Sequence, residues 1–376
     1  MQTPETEAEI LAQLRRQIDQ TDRKIVELII ERARLVQSVG QTKQNSGSAI
    51  YRPDREKQVY QNIERYVQEL TGDEEGMPVS VFKHVYREIM SGSIALEGGP
   101  SVAYLGPEAS FSHQATRSRF GNSLRFQPVY SISDVFRSVE SGQEARFGVV
   151  PIENTIAGTV GMTLDRLLHT ELNIYAEHYT HIQMNLLAKC HMELPEIRKL
   201  YTFKVASEQC REWLHSHLNM GSIEIEETPS TADAARLAAL NGDGAAIASE
   251  FAAETYQLRT LRSHIQDSPY NITRFFVIGF EQCPPTGDDK TSIYCRVKDN
   301  PGSLYGVLQP FQKGGINLTR IESRTTRRSF GEYNFFIDFA GHRNDPEVQA
   351  ILKEIEASTS VLRILGSYPR MELPLA

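Results

Sequence analysis

Two cationic side chains near the start of the chain are spaced to hold a small dianion. Arg32 and Lys43 are eleven residues apart, close to three helical turns, so on one helix they would share a face with their side chains about 16 Å apart. Arg15 lies about 100° around that helix and roughly 25 Å away, so it cannot reach the same small ligand within one chain. In an antiparallel pair of chains, the partner's Arg15 could reach it.

Further polar side chains follow on the next two predicted helices. Arg55 and Glu56 open the second helix, and Ser93 and Glu97 are four residues apart on the third, so they face the same way. A single charge on an amphipathic helix is usually solvated surface. The set together is better explained by an anionic ligand held between the helices.

A predicted helical unit of residues 1–97 positions these side chains. Apolar residues recur at helical spacing over 5–43, with no proline or glycine before Gly40, which predicts one amphipathic helix roughly 58 Å long. The rest of the unit is too short to cover the apolar stripe, so we expect a homodimer, with a tetramer left open. The remaining predicted features are a second helix near 53–70 that begins at Pro53, a third over 79–96 and a linker at 98–100.

The helical unit resembles the all-helical chorismate mutases over residues 10–97, in LRRQIDQTDRKIVELIIERARLVQSVGQTK, YRPDREKQV and REIMSGSIALE. The implied reaction, chorismate to prephenate, is unimolecular and needs no cofactor. An enzyme can hold the folded conformer and place cations where the breaking C–O bond gathers negative charge. Glu97 stands where some members have glutamine and can donate to the ether oxygen only when protonated, so we expect mutase activity to fall as pH rises. The resemblance implies catalytic roles for Arg32, Lys43 and Glu97, and substrate contacts by the partner's Arg15 and by Arg55, Glu56 and Ser93.

Short apolar runs and helical stretches alternate in the middle of the chain. The apolar runs lie at 101–105, 146–150, 244–249 and 274–280, and the helical stretches at 131–142, 206–218 and 231–241. This alternation predicts α/β units with parallel strands, and the length favours two lobes with a ligand-binding cleft between them. Several hydroxyl and amide side chains fall at the ends of these elements, although each singly is more often a cap or turn residue.

Four segments together resemble the prephenate dehydratase domain over residues 101–281. They are YLGPEASFSHQA (104–115), VVPIENTIAGTV (149–160), TPSTADAARLA (228–238) and SPYNITRFFVIG (268–279). The implied reaction expels the ring carboxylate as CO₂ and the hydroxyl as water, without metal or other cofactor. A threonine is a poor general acid, so Thr273 is expected to serve the leaving hydroxyl as hydrogen-bond donor or relay. Arg274 is expected to hold a carboxylate, and the other implied substrate-binding residues are Ser112, Glu153, Asn154, Thr155, Ser230, Thr231 and Phe275.

The tail, residues 290–376, follows a linker at 282–289 and has the pattern βαββαβ of a ferredoxin-like unit. DNPGSLYGVLQPFQKGGINLTRIESR resembles an ACT domain, which implies an amino-acid effector, L-phenylalanine, at an interface between domains. Val307 is bulkier than the alanine common in the family and could narrow the pocket. A purely dimerising module is the alternative. The implied effector-binding residues are Gly302, Leu304, Gly306, Leu308, Glu322, Ser323 and Arg324.

Composition excludes several classes of protein. A net charge of −8 argues against a general nucleic-acid surface, and no apolar run is long enough to span a bilayer. The four cysteines form no C-x-x-C pair, and the acidic start MQTPETEAEI is unlike a secretory leader, so we expect a cytoplasmic enzyme without a metal site.

The leading interpretation is a bifunctional enzyme that converts chorismate to prephenate and then to phenylpyruvate, under feedback by phenylalanine. One alternative is a monofunctional dehydratase whose helical unit only dimerises. The other is a two-lobed solute-binding or sensor protein, which leaves the Thr273-Arg274-Phe275 run unexplained.

Overall fold

The structure is a computed structural model that describes residues 7–46, 49–72, 76–298, 300–325 and 332–373, without the side chains of 43–46 and 332. Three helices come first, as predicted. Pro53 takes the first position of the second, where its missing N–H costs nothing. The helices are α1 (Glu7–Ser46), α2 (Pro53–Thr71) and α3 (Val79–Leu96).

Most of the apolar stripe of α1 is exposed in the part of the chain that the structure describes. Ile18, Leu28 and Leu35 are 57%, 63% and 63% exposed, and Ile10, Leu14 and Ile25 are also exposed. None of the described helices is both long enough and apolar enough to cross a membrane.

The middle region forms two lobes, as predicted. Its helices are α4 (Phe111–Phe120), α5 (Ile132–Glu140), α6 (Gly161–Leu167), α7 (Lys204–Gln209), α8 (Arg211–His217), α9 (Thr231–Asn241) and α10 (Glu250–Tyr256). Its strands are β1 (Ser101–Leu105), β2 (Arg125–Val129), β3 (Phe147–Asn154), β4 (Gly158–Thr159), β5 (Asn173–His181), β6 (Asn185–Ala188), β7 (Lys199–Thr202), β8 (Glu224–Glu227), β9 (Ala245–Ala248), β10 (Arg259–Arg262) and β11 (Ile272–Gly279).

The chain passes twice between the lobes, after β5 and before β11. The first sheet has the order β2-β1-β3-β11-β5 with β4 beside β3, and the second has the order β10-β6-β9-β7-β8. The expectation of parallel strands holds only in part. Strand β1 is parallel to β2 and β3, whereas β11 returns from the second lobe and runs antiparallel to β3 and β5.

The helix predicted over 206–218 is divided into α7 and α8. The break lies at Cys210, a buried residue with φ −116° and ψ 16°, outside helical geometry. Its side chain packs in the core of the second lobe with Leu214 and Ile247.

The tail has the predicted βαββαβ order in an antiparallel sheet ordered β13-β14-β12-β15. One face of the sheet packs on its own helices, and the other joins the core of the first lobe through Tyr294, Phe336, Leu365 and Tyr368. The elements are β12 (Asp289–Lys298), α11 (Ser303–Lys313), β13 (Leu318–Thr325), β14 (Glu332–Ala340), α12 (Pro346–Ser358) and β15 (Val361–Pro369).

Candidate active sites

A cavity of about 460 Å³ lies between the three N-terminal helices and the end of α4. Arg32 from α1 donates to Ser93 Oγ of α3 at 2.6 Å, and that hydroxyl donates to the carbonyl of Ile89 at 2.7 Å. Burial, with repulsion from Arg55 as a lesser cause, lowers the pKa of Arg32. An anionic ligand would neutralise the positive charge of these two neighbouring guanidinium groups. Among the predicted residues, the cavity is lined by Arg32, Arg55, Glu56, Ser93 and Glu97.

The two other predicted residues of this site do not line the cavity. Arg15 is exposed on α1 and is absent from the lining, as the helix geometry requires for a single chain. The side chain of Lys43 lies outside the described residues.

Three arginines that were not predicted from the sequence also line this cavity, and one of them, Arg52 at the start of α2, pairs with Asp54. Arg87 comes from α3, and Arg119 comes from α4 of the middle region, where its guanidinium pairs with Glu56 at 2.7 Å. The helical resemblance ends at residue 97, so no sequence signal connected Arg119 with the helices.

A second cavity, of about 850 Å³, lies between the two lobes. The start of α4, the end of β3, the start of α9 and strand β11 all border it. Its walls are mostly apolar, with side chains such as Phe111, Ile182, Met184 and Phe203. Of the predicted residues, those that line this cleft are Ser112, Asn154, Ser230, Thr231, Thr273 and Phe275.

Thr273 is held by an amide whose orientation is fixed from both ends. Asn154 Nδ2 donates to Thr273 Oγ1 at 2.9 Å and to Asn271 Oδ1 at 2.7 Å. Asn154 Oδ1 accepts the backbone N–H groups of Ile156 and Ala157 at 2.9 and 2.7 Å, so nitrogen and oxygen cannot be exchanged. Because Thr273 Oγ1 accepts from Asn154, its own hydrogen is available to donate to a ligand.

Arg274 does not reach the cleft, contrary to expectation. Successive side chains of a strand point to opposite faces, so Thr273 and Phe275 face the cleft and Arg274 faces the tail. Its guanidinium is 2% exposed and lies 2.6 Å from Asp338, 2.8 Å from Glu177 and 3.1 Å from Glu153. Arg274 therefore joins the first lobe to the tail and is not placed to hold a substrate carboxylate.

Glu153 and Thr155 are also placed away from the cleft. Glu153 bonds Arg320 of β13 at 2.8 Å as well as Arg274. The exposed Thr155 donates to the carbonyl of Tyr270 at 2.6 Å and accepts the N–H of Ile272 at 3.0 Å, a structural pairing of β11 with the turn after β3.

The cleft holds anionic rather than cationic side chains. Among the described residues that line it, there is no arginine or lysine, whereas Glu108 and Asp233 contribute carboxylates. Positive potential comes instead from the first turns of α4 and α9, which begin at the cleft and are capped by the hydroxyls of Ser110 and Ser230.

The predicted effector residues divide between two faces of the tail. Glu322 accepts from Thr159 at 2.8 Å and Arg324 pairs with Asp165 at 3.1 Å, so both contact the first lobe, whereas Ser323 is exposed on the opposite face. Gly302 precedes α11 with φ 85°, a conformation that favours glycine. Leu304, Gly306 and Leu308 lie on α11, and Val307 is fully buried in the core of the tail, so it does not narrow a surface pocket.

Comparisons with known proteins agree with this arrangement. The model for chorismate mutase type II matches residues 14–98, that for prephenate dehydratase matches 102–283 and that for the ACT domain matches 291–357. A bifunctional chorismate mutase/prephenate dehydratase of Aquifex aeolicus is 42% identical over 96% of this chain and 98% of its own length. The chain belongs to this family. It is a bifunctional enzyme, an isomerase and a lyase, which confirms the leading interpretation.

Other relatives support the same assignment. A bifunctional chorismate mutase/prephenate dehydratase of Pseudomonas aeruginosa is 40% identical over 96% of this chain and 98% of its own length. The crystal structure of prephenate dehydratase in complex with L-Phe from Arthrobacter aurescens is 32% identical, with a TM-score of 0.66, and the match covers 72% of this chain and 90% of that one.

Proposed function

We propose that the mutase reaction takes place in the cavity between α1, α2 and α3. The observation that supports this most strongly is the convergence of Arg32 and Arg55 with Ser93 and Glu97 in one cavity. The cations would bind the two carboxylates of chorismate in its folded conformer and stabilise the charge that develops on the ether oxygen. Glu97, from the end of α3, would contact that oxygen.

We propose that the cleft between the lobes is the dehydratase site. Thr273 would donate to the leaving hydroxyl of prephenate, since its oxygen already accepts from Asn154. The first turns of α4 and α9 would bind the carboxylate that is retained. The ring carboxylate must leave as CO₂, and the lack of cations among the described residues of the cleft wall favours its loss, because such a wall stabilises the departing carboxylate little.

Product analysis with purified protein tests both assignments. Chorismate alone should yield prephenate and then phenylpyruvate, and prephenate alone should yield phenylpyruvate. If chorismate were left unchanged while prephenate was consumed, the assignment of the mutase reaction to the helical cavity would be wrong.

We propose that the tail binds L-phenylalanine and inhibits the dehydratase step. The resemblance to ACT domains and the relative crystallised with L-Phe support this. Glu322 and Arg324 contact the first lobe, which forms one side of the cleft. A ligand bound beside them would therefore act on the dehydratase site through these contacts. Calorimetry should detect heat of phenylalanine binding together with inhibition, and absence of both would leave the tail a structural module.

We propose that the working unit is a homodimer formed along α1. The exposed stripe of Ile18, Leu28 and Leu35 needs a partner, and a second α1 in antiparallel orientation would bring the partner's Arg15 to the cavity of Arg32. The mutase region is then 1–97, the dehydratase region 101–281 and the regulatory region 290–376.

A further inference from the structure

Helix α4 borders both cavities. Its first turn, with Ser112, lines the dehydratase cleft, and its last turn, with Arg119 and Phe120, lines the mutase cavity. Ser112 and Arg119 are seven residues apart, which is about 11 Å along the helix axis. One helix of the dehydratase region therefore supplies side chains to the mutase cavity.

Arg119 and Glu56 form a nearly buried ion pair across this boundary. Arg119 Nη2 lies 2.7 Å from Glu56 Oε2, and the two side chains are 10% and 11% exposed. Tyr51 donates to the same carboxylate oxygen at 3.3 Å. Breaking such a pair from one side leaves an uncompensated buried charge, so the pair is tightly maintained.

We propose that Arg119 is a positioning residue of the mutase reaction, which holds the Glu56 carboxylate in the cavity where the hydroxyl of the substrate can donate to it. This inference rests on the proposed mutase site. Chorismate has a single hydrogen-bond donor besides its two carboxyl groups, its ring hydroxyl. An ionised Glu56 accepts from that hydroxyl and repels a misplaced carboxylate, which gives the substrate one orientation in a cavity otherwise rich in cations.

The ionised state of Glu56 depends on Arg119. Burial disfavours the charged carboxylate and raises the pKa of Glu56, and attraction by Arg119 is the largest influence in the opposite direction. Hydrogen bonds from Tyr51 and Tyr60 and the charge of Arg87 act in the same direction as Arg119. Without Arg119, the pKa of Glu56 would rise further. Among the described residues, Arg32, Arg52 and Arg55 are the other cations that line the cavity, and Asp54 and Glu97 are its other carboxylates.

The position of Arg119 is set by the dehydratase core. Its guanidinium lies 5.7 Å from the ring of Tyr51, and that ring packs against Phe120, Phe147 and Tyr175 at 4.8, 5.4 and 5.9 Å between centroids. Tyr175 also donates to the backbone carbonyl of Tyr51 at 2.8 Å. The aromatic cluster packs the segment just before α2 against the end of α4, where Arg119 meets Glu56.

A double-mutant cycle in the full chain tests the inference. In Arg119→Gln, kcat/KM for chorismate should fall roughly 10- to 100-fold, the effect of losing a charge-assisted hydrogen bond. Glu56→Gln should show a similar loss, and the double variant should lose little more than either single variant, because Arg119 acts through Glu56. Arg119→Lys keeps the charge and should restore part of the activity.

The pH profile separates positioning from mere structural support. Ionised Glu56 requires a pH above its pKa, so the rising acidic limb of mutase activity should move to higher pH in Arg119→Gln. The matched control is Arg117→Gln on the same helix, whose guanidinium lies 4.9 Å from the ring of Phe251 and outside both cavities, and which should leave the mutase profile unchanged.

Each outcome has a distinct meaning. Dehydratase activity with supplied prephenate should persist in Arg119→Gln, which shows that the fold is intact. An unshifted acidic limb, or additive losses in the double variant, would overturn the inference, as would loss of both activities in Arg119→Gln and Arg119→Lys alike. Full mutase activity in Glu56→Gln would instead refute the place of Glu56 in the proposed mutase site.

Discussion

Among single residues, Arg274 has the clearest energetic consequence. Its buried guanidinium bonds Glu177 and Asp338, which are 0% and 3% exposed at the side chain. Arg274→Met would leave the buried carboxylate of Asp338 without its cation, whereas Glu177 would keep Lys290 at 3.0 Å, and we expect a cost of about 3–5 kcal/mol. Chemical denaturation should show this as a lower midpoint. Arg137→Met, at a side chain 68% exposed, is the control and should change stability by less than about 1 kcal/mol. Equal effects would contradict the structural role of Arg274.

The sequence predicted some residues of the two sites correctly and missed others. Thr273, Asn154 and Phe275 were expected at the dehydratase site, and the structure places all three at the cleft. Arg274 was expected there too, because the family resemblance selects the whole Thr-Arg-Phe run without regard to strand faces. Arg119 escaped notice because its contact with Glu56 joins residues 63 positions apart, a separation that no local pattern encodes.

At the scale of elements, the first turns of α4 and α9 are the source of positive potential in the cleft. Ser112→Asp would place a negative charge inside that potential, so KM for prephenate should rise at least roughly tenfold through like-charge repulsion. The neutral, near-isosteric Ser112→Asn is the control and should change KM little. Steady-state kinetics with prephenate measures both. If the two variants behaved alike, charge at this helix start would not govern substrate binding.

Elements were predictable where the signal is local. The 3.6-residue period and Pro53 were sufficient for α1 and α2, and the βαββαβ order of the tail was readable from alternating strand and helix patterns. The direction of β11 could not be predicted from the sequence. Strand pairing joins distant segments, and a buried apolar run looks the same in parallel and antiparallel sheets. The break at Cys210 lies within a continuous helical pattern and was likewise missed.

At the scale of the whole molecule, the proposed dimer makes each mutase site depend on two chains. Arg15→Gln and Arg32→Gln should each abolish most mutase activity. Co-expressed in equal amounts, they should recover roughly a quarter of the parent activity, because half the dimers are mixed and each mixed dimer has one intact site. The rate of prephenate formation in the purified mixture measures this. If sedimentation showed dimers but no mutase activity were recovered, the result would contradict a shared site.

Two separate active sites on one chain should respond independently to substitutions in each cavity. Arg32→Ala and Thr273→Val, with Thr273→Ser as the hydroxyl-retaining control, are assayed with chorismate and with prephenate separately. We expect Arg32→Ala to lose only prephenate formation and Thr273→Val only phenylpyruvate formation, by roughly 100-fold or more, while Thr273→Ser keeps most of its activity. Loss of both activities in both folded variants would contradict the account.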